Sequence, residues 1–228
     1  MIALGNTEIT KAYLGSTEIS KMYLGEDIVF GGSSPTPILS YDAEVEYIEA
    51  LSGQYINLNF GFDNTDEIYA VFAINSNAGT SDKYINSPIR WNNNNNRFGM
   101  GVYSYYCGAY GNVSTGNTRL TPNRTNDGNL HTWQYKNKVY SITDLNLSKD
   151  CSSITWGGTT ANLRLFYGYN AVTKGKIRSY KHIKNGVVVC DFIAVRKNGV
   201  GYLYDKENNV LVGSSTSTGF TYGNDITT

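Results

Sequence analysis

One stretch near the C-terminus decides the fold: GKIRSYKHIKNGVVVCDFIAVRKNGVGYLYDK, residues 175–206. Three segments within it, 176–184, 187–195 and 201–205, are rich in β-branched and aromatic residues. Such segments are typical of β-strands, because branched and aromatic side chains pack well on a pleated surface. We therefore predict three consecutive strands in this stretch.

Strand signals of the same kind recur at short intervals through the residues before it. They fall at 44–50, 55–62, 67–75, 98–106, 132–142 and 163–169. Clusters rich in Asn and Gly separate them, and no segment shows helical periodicity over more than about two turns. Many short strands without a helix predict an all-β protein, either a sandwich of the jelly-roll kind or a barrel.

The stretch 175–206 resembles the closing strands of the concanavalin-A/laminin-G-like jelly-roll superfamily, as found in phage and gut-bacterial proteins. The family pattern is a strand, an Asn-Gly hairpin, an Asp-Phe strand end and then Gly-x-x-Tyr-Asp, which here ends at Asp205. Ala194 stands where the family usually has Pro. Residues 46–57 are similar to the first strands of the same domains, so the resemblance covers roughly residues 40–222. It implies a jelly-roll sandwich.

The N-terminus carries a ten-residue tandem repeat. LGNTEITKAY at residues 4–13 recurs as LGSTEISKMY at residues 14–23, and a third copy begins at Leu24 and breaks off by Phe30. Each copy has a Gly followed by Asn, Ser or Glu, which suits a tight turn, and the two complete copies then have an Ile and a Tyr at even spacing. We predict three short strands, one from each copy. So small a meander is marginal in water, so residues 1–30 are expected to need partners.

The apolar residues that recur with this unit are the predicted oligomerisation and docking positions, because several chains around one axis bury such a stripe in a symmetric interface. They are Leu4, Ile9, Tyr13, Leu14, Ile19, Tyr23, Leu24 and Ile28. The repeat resembles those that head tail-fibre, fibre and head-fibre proteins of phages infecting gut Bacteroidetes. That resemblance implies a virion subunit, usually a trimer, that assembles in the host cytoplasm and docks onto capsid or tail proteins.

Composition and charge divide the chain and exclude several partners. Residues 31–39 form a linker rich in Gly, Ser and Pro between the repeats and residues 40–228, whose length suits one β-sandwich.

Basic and acidic residues balance at 19 each without a Lys/Arg block, so neither nucleic acid nor an anionic membrane is an expected partner. The start has no basic and apolar signal regions, and no run of 18 apolar residues occurs, so we expect neither secretion nor a membrane span.

Chemistry-bearing residues are sparse, and we predict a protein that is not an enzyme and holds no metal or cofactor. The alternating carboxylates of Asp42, Glu44 and Glu46 suggest a glycosidase pair, but they lie on the first predicted strand, where a solvated edge is the simpler interpretation. The two histidines, His131 and His182, lie in no nucleophile or metal motif, and His131 is expected to shape a strand entrance. The cysteines at 107, 151 and 190 lack CxxC spacing and are expected to be reduced and partly buried.

Binding is the stronger hypothesis, since an Asn-rich loop precedes a cluster of tyrosines. Amides exchange hydrogen bonds with hydroxyl groups and aromatic faces stack on sugar rings. The predicted glycan-binding residues are Trp91, Asn93, Asn94, Tyr103, Tyr105 and Tyr106. The alternative is a long hairpin loop beside core tyrosines. Trp133 and Trp156 are assigned to packing.

Taken together, these features favour a virion fibre or appendage subunit whose jelly-roll head attaches to host surface polysaccharide. A non-virion carbohydrate-binding module or surface lectin of a gut bacterium is the alternative. A glycosidase is the third hypothesis.

Overall fold

The computed structural model describes most of the C-terminal domain and short pieces of the N-terminal segment. The described residues are 3–4, 7–8, 12–14, 17–19, 22–24, 27–30, 41–63, 65–75, 83–88, 99–103, 106–109, 119–120, 127–152, 162–168 and 171–226. The chain forms two units, Met1–Leu39 and Ser40–Thr228, here called the repeat unit and the head. In the described part, no helix is long and apolar enough to cross a membrane.

The repeat unit is built of two-stranded antiparallel hairpins. Their strands are β1 (Ala3–Leu4), β2 (Thr7–Glu8), β3 (Ala12–Leu14), β4 (Thr17–Ile19), β5 (Met22–Leu24) and β6 (Asp27–Phe30). The Leu of each copy pairs with the residue three positions later: Leu4 with Thr7, Leu14 with Thr17 and Leu24 with Asp27. Each connection is thus a two-residue loop that begins with Gly, which suits a type II′ turn.

The prediction of one strand from each copy is therefore wrong. Each of the two complete copies contributes residues to two hairpins, and hairpins β3–β4 and β5–β6 join the end of one copy to the start of the next. Ile19 and Tyr23 belong to the same copy but lie in the successive hairpins β3–β4 and β5–β6. Ile9 lies outside the described residues, and the role of the other apolar positions in assembly stays a prediction.

The head is almost entirely β-structure. Its strands are β7 (Ala43–Glu44), β8 (Ile48–Ala50), β9 (Ile56–Asn57), β10 (Glu67–Ile74), β11 (Lys83–Pro88), β12 (Met100–Tyr103), β13 (Tyr106–Ala109), β14 (Arg119–Leu120), β15 (His131–Lys136), β16 (Val139–Ile142), β17 (Leu147–Asp150), β18 (Leu163–Leu165), β19 (Tyr167–Gly168), β20 (Ala171–Val172), β21 (Gly175–Lys184), β22 (Val187–Lys197), β23 (Val200–Asp205), β24 (Val210–Val212) and β25 (Thr221–Tyr222). One 3-10 turn at Thr143–Leu145 connects β16 to β17. The prediction of an all-β protein is confirmed.

Two large antiparallel sheets organise the head. The larger runs in the order β17-β16-β15-β10-β21-β22-β23-β24, with β7 and β8 pairing beside β22 and β21, and β25 pairing with β8. The smaller is six-stranded, in the order β14-β13-β12-β11-β18-β9. Strands β21, β22 and β23 are consecutive neighbours joined at Asn185-Gly186 and Asn198-Gly199, all four residues having positive φ. The three strands expected from residues 175–206 are thus present.

Both sheets contribute to one hydrophobic core. Phe72 and Trp133 of the larger sheet stack with ring centroids 4.4 Å apart, and Trp133 is 1% exposed, in line with its assignment to packing. Ile56, Met100 and Leu163 of the six-stranded sheet belong to the same buried cluster. Apolar faces of two antiparallel sheets that meet in one core are consistent with a β-sandwich.

Four predicted strands are interrupted in the structure. Residues 44–50 divide into β7 and β8, residues 98–106 divide into β12 and the start of β13, and the other two divide at residues with positive φ. Residues 132–142 form the hairpin β15–β16, because Asn137 and Lys138 have φ of 51° and 60° and make a two-residue reversal. Residues 163–169 divide at Phe166, whose φ is 59°. Neither Lys nor Phe is a turn-forming residue by composition, so patterning alone runs straight through both positions.

Candidate functional site

The structure places two of the predicted glycan-binding residues on the six-stranded sheet. β12 ends at Tyr103, β13 begins at Tyr106, and the two residues pair across a two-residue connection. The others, Trp91, Asn93, Asn94 and Tyr105, lie outside the described residues. Their role in glycan binding stays a prediction.

Strand alternation assigns Arg164 of β18 to the outer face of the six-stranded sheet. Leu163 and Leu165, on either side of it, are fully buried in the core. Positions separated by an odd number of residues along a strand lie on opposite faces.

Three described side chains meet on this outer face: Tyr55, Arg164 and Tyr167, here called the tyrosine–arginine cluster. The two rings meet edge to face, with centroids 5.6 Å apart and planes at 66°. The guanidinium carbon of Arg164 lies 4.9 Å from the ring centroid of Tyr55 and 4.5 Å from that of Tyr167. Both distances are within cation–π range, so two rings hold one guanidinium group.

Phe166 explains how Tyr167 joins this cluster. A regular strand would turn Phe166 outward and Tyr167 inward, but the positive φ of Phe166 breaks the alternation, and both Leu165 and Phe166 are fully buried. The Phe166 ring packs 5.3 Å from that of Phe220. A left-handed conformation at a residue other than Gly costs about 1–3 kcal/mol and persists only where the surroundings fix it. Here it returns Tyr167 to the face that carries Arg164.

Hydrogen bonds orient the guanidinium further. Arg164 Nε donates to the side-chain oxygen Oδ1 of Asn57 at 2.8 Å. The backbone N–H of Asn57 donates to Ser215 Oγ at 3.1 Å. The amide of Ser215 donates to the carbonyl oxygen of Tyr55 at 2.7 Å. The loop 213–219, of sequence GSSTSTG, is thereby tied to the cluster and brings hydroxyl groups beside it.

The charge of Arg164 is not neutralised by a described neighbour. Its described contacts are the two tyrosine rings and the Asn57 amide oxygen, and no Asp or Glu of the described residues forms an ion pair with it. Arg196 offers the contrast, since its Nε and Nη2 each donate to Asp225 at 2.7 Å. The cluster therefore presents an oriented cation flanked by aromatic rings.

Two clefts lie among the described residues of the head. One, of about 380 Å³, includes Asn57 and so borders the cluster; it also takes in Phe60, Asn208 and Val212. The other, of about 280 Å³, includes Arg178 of β21. In that cleft Lys176 Nζ lies 4.4 Å from the ring centroid of Tyr47. The first cleft extends the surface available to a ligand held at the cluster.

The alternating carboxylates near the start of the head are engaged separately. β7 covers only Ala43–Glu44, so Asp42 and Glu46 lie outside this strand. Each carboxylate accepts its own hydrogen bond: Asp42 Oδ2 from the backbone N–H of Asn198 at 2.8 Å, Glu44 Oε1 from the Tyr41 hydroxyl at 3.3 Å, and Glu46 Oε2 from the backbone N–H of Asn224 at 3.2 Å. These contacts tie each carboxylate to a different neighbouring group.

His131 begins β15 between two carboxylates. Its Nδ1 lies 2.6 Å from Asp144 Oδ2 and its Nε2 lies 3.2 Å from Asp127 Oδ1. Burial alone would raise the pKa of each carboxyl, but hydrogen bonds from His131, Asn129 and the Thr132 amide outweigh it and lower both pKa values. Among the residues that the structure describes, no group of three or more His, Cys, Asp or Glu is placed to hold a metal ion.

Comparison with known proteins identifies no relative of the chain. No family model, curated protein or solved structure matches it.

Proposed function

We propose that the protein is a structural subunit of a phage virion, a fibre or appendage whose head attaches to host surface polysaccharide. The observation that carries this proposal is the tandem of three short hairpins, one after another, that precedes an all-β head in the sequence. A repeat of this kind serves assembly better than catalysis. The same tandem is not required of a secreted lectin.

Assembly follows from the size of the hairpins. Each has strands of two to four residues and pairs only within itself in the described part of the chain. A lone two-stranded hairpin is marginally stable in water, whereas hairpins from several chains around one axis bury their apolar positions together. We propose a trimer, as in the phage fibres that the repeat resembles, docked onto other virion proteins.

The head is proposed to be a concanavalin-A/laminin-G-like jelly roll that binds glycan without cleaving it. Three consecutive antiparallel strands, β21 to β23, and a core shared by two sheets support this fold. The exposed amide of Asn57 beside two tyrosine rings supports glycan binding, since amides bond hydroxyl groups and rings stack on sugars. The separate engagement of the carboxylates supports a role without hydrolysis.

Removal of the repeat unit tests the assembly. A chain that lacks residues 1–34 is expected to be a folded monomer by light scattering on a size-exclusion column, while the full chain is a trimer. A full-length chain with Ile19→Asp and Ile28→Asp is expected to dissociate in the same way. A truncated head that keeps the oligomeric state of the full chain would show that the heads hold the assembly together.

The alternative, a non-virion carbohydrate-binding module or surface lectin, is favoured by the tyrosine–arginine cluster but not by the tandem hairpins. Genes that flank the coding sequence separate the two functions. Neighbouring capsid or tail genes would support the virion subunit. Neighbouring polysaccharide-utilisation genes would support the alternative. Detection of the chain in purified virions by mass spectrometry is the direct test.

A further inference from the structure

We propose that the tyrosine–arginine cluster binds the carboxylate of an acidic sugar, a uronic acid residue within a surface polysaccharide. This inference rests on the proposed function of the head as a glycan-binding domain and names the class of glycan. It assigns a site that the sequence motifs do not include, since Tyr55, Arg164 and Tyr167 lie outside the predicted glycan-binding set.

The guanidinium of Arg164 is oriented for a carboxylate. Its Nε is already committed to Asn57 Oδ1, and the two rings fix the plane of the group. The two terminal nitrogens have no hydrogen bond to another described residue, and their parallel N–H bonds match the two oxygens of a carboxylate. With no described carboxylate paired to Arg164, a ligand that carries one is the complementary partner.

The surroundings favour a sugar as the carrier of that carboxylate. Both tyrosine side chains are half-buried, so part of each ring is open to a ligand, and pyranose C–H faces pack on aromatic rings. The loop 213–219 offers hydroxyl groups on one side, and the amides of Asn57 and Asn59 lie along the bordering cleft. The guanidinium of Arg164 would bind the carboxylate, the two tyrosine rings would pack on the sugar, and the nearby hydroxyl and amide groups would bond its hydroxyls. This arrangement fits one uronic acid residue with its neighbours.

The backbone at Phe166 points to the same surface. Its left-handed conformation is the only one at an aromatic residue in the described chain, where the other residues with positive φ are Asn, Gly and Lys138. Strained backbone accumulates where it positions a binding group. At Phe166 the consequence of the strain is the contact between Tyr167 and Arg164.

Calorimetric titration of the full-length chain tests the proposal with two probes of equal length, an oligoglucuronate and a neutral glucan oligosaccharide. The wild-type chain is expected to prefer the oligoglucuronate. Arg164→Gln is expected to weaken its binding about tenfold to hundredfold, the range of a charge-assisted hydrogen-bond pair. Arg164→Lys keeps the charge but loses the fork and is expected to bind at an intermediate level.

Arg178→Gln is the matched control, because it removes one exposed guanidinium from β21 and is expected to leave binding of the oligoglucuronate within about twofold. If binding is lost in Arg178→Gln and kept in Arg164→Gln, the ligand occupies the other cleft and the proposal is overturned. A sulfated glucan that binds as tightly as the oligoglucuronate, with the same dependence on Arg164, overturns the assignment to uronic acid.

The outcomes also separate this inference from the function on which it rests. A wild-type chain that binds host capsule and neutral glucan, with no loss in Arg164→Gln, overturns the inference and leaves glycan attachment standing. A wild-type chain that binds no glycan and no host capsule overturns glycan attachment itself. Thermal melting of each variant against the wild type shows whether lost binding reflects lost folding. Tyr167→Leu is a second variant, which keeps Arg164 but removes the ring that lies against its guanidinium, and it is expected to weaken binding of the oligoglucuronate.

Discussion

His182 Nε2 lies 2.8 Å from Asp66 Oδ2, and both side chains are fully buried. Desolvation lowers the pKa of His182, with hydrogen bonding to Asp66 acting against it, so the ring is neutral near pH 7. Its Nε2–H then donates to Asp66, and its Nδ1 accepts from the Tyr180 hydroxyl at 3.1 Å. Lys184 Nζ, 3.0 Å from Asp66 Oδ2, adds a second donor. The network ties residues 61–66 to β21.

We predict from this pair that the head loses stability as the pH falls below about 6.5, the pKa of an unperturbed histidine. The folded pKa of His182 is lowered, so the unfolded chain takes up a proton first and unfolding becomes easier. The slope for one proton is at most about 1.4 kcal/mol per pH unit. Urea unfolding between pH 7.5 and pH 5 measures it.

Substitution of the buried ring provides the control. His182→Gln is expected to flatten the slope in that pH window. A slope that survives unchanged in a folded His182→Gln variant would contradict the prediction.

A second prediction concerns the contact of Arg196 with Asp225, which holds a residue near the C-terminus against β22. Hydrogen bonds from Arg196 lower the pKa of Asp225, so the contact is present above about pH 4 and is lost as the pH falls through that lowered pKa. Arg196→Gln removes the paired donors. Hydrogen exchange at the Ile226 amide, which donates to the Glu44 carbonyl at 2.9 Å, is expected to become faster. Arg178→Gln is the control, and unchanged exchange in Arg196→Gln would contradict the prediction.

Gly175→Ala is predicted to destabilise the head by about 1–3 kcal/mol, the usual cost of overpacking. A Cβ at this position would collide with the carbonyl oxygen of Ala73 on the paired strand β10. Gly199→Asn is the control, since its Cβ meets open space and Asn adopts a positive φ, here 75°, more often than most other residues. Denaturant unfolding compares the two, and equal losses would show that the close approach at Gly175 is relieved without cost.

The buried cysteines are predicted to resist thiol reagents in the native protein. Burial raises the pKa of Cys151 to about 11 and also raises that of Cys190. At pH 8 a thiol of pKa 11 is ionised in about one molecule in a thousand. In a Cys107→Ser variant, labelling is expected only after denaturation. Rapid labelling of the folded variant would show that one of the two thiols is accessible.

Hydrolysis is predicted to be absent. Asp42, Glu44 and Glu46 each accept a separate hydrogen bond, whereas a glycosidase needs two carboxyl groups that flank the scissile bond. Incubation of the full chain with bacterial polysaccharides is expected to release no reducing sugar. Release that disappears in Glu44→Gln or Glu46→Gln would establish an enzyme instead.

Local patterning predicted much of the fold. The strands of residues 175–206 follow from branched and aromatic residues between Asn-Gly pairs, and the structure has them as β21, β22 and β23. The tandem repeat and its Gly-initiated turns were also predicted, although the segment after each turn was expected to form one strand and instead contributes to two. Such features depend on neighbours within a few residues, which is why sequence alone determines them.

The candidate site depended on tertiary structure. Tyr55 and Tyr167 are more than a hundred residues apart in the chain, and they meet because β9 and β18 pair in one sheet. Phe166 carries no turn signal, yet its burial beside Phe220 reverses the alternation and brings Tyr167 to Arg164. The sequence by itself determined an all-β chain with a repeated N-terminus. Only the packing of distant strands decided which of its 19 tyrosines surround the guanidinium of Arg164, because that choice rests on contacts that local patterning does not encode.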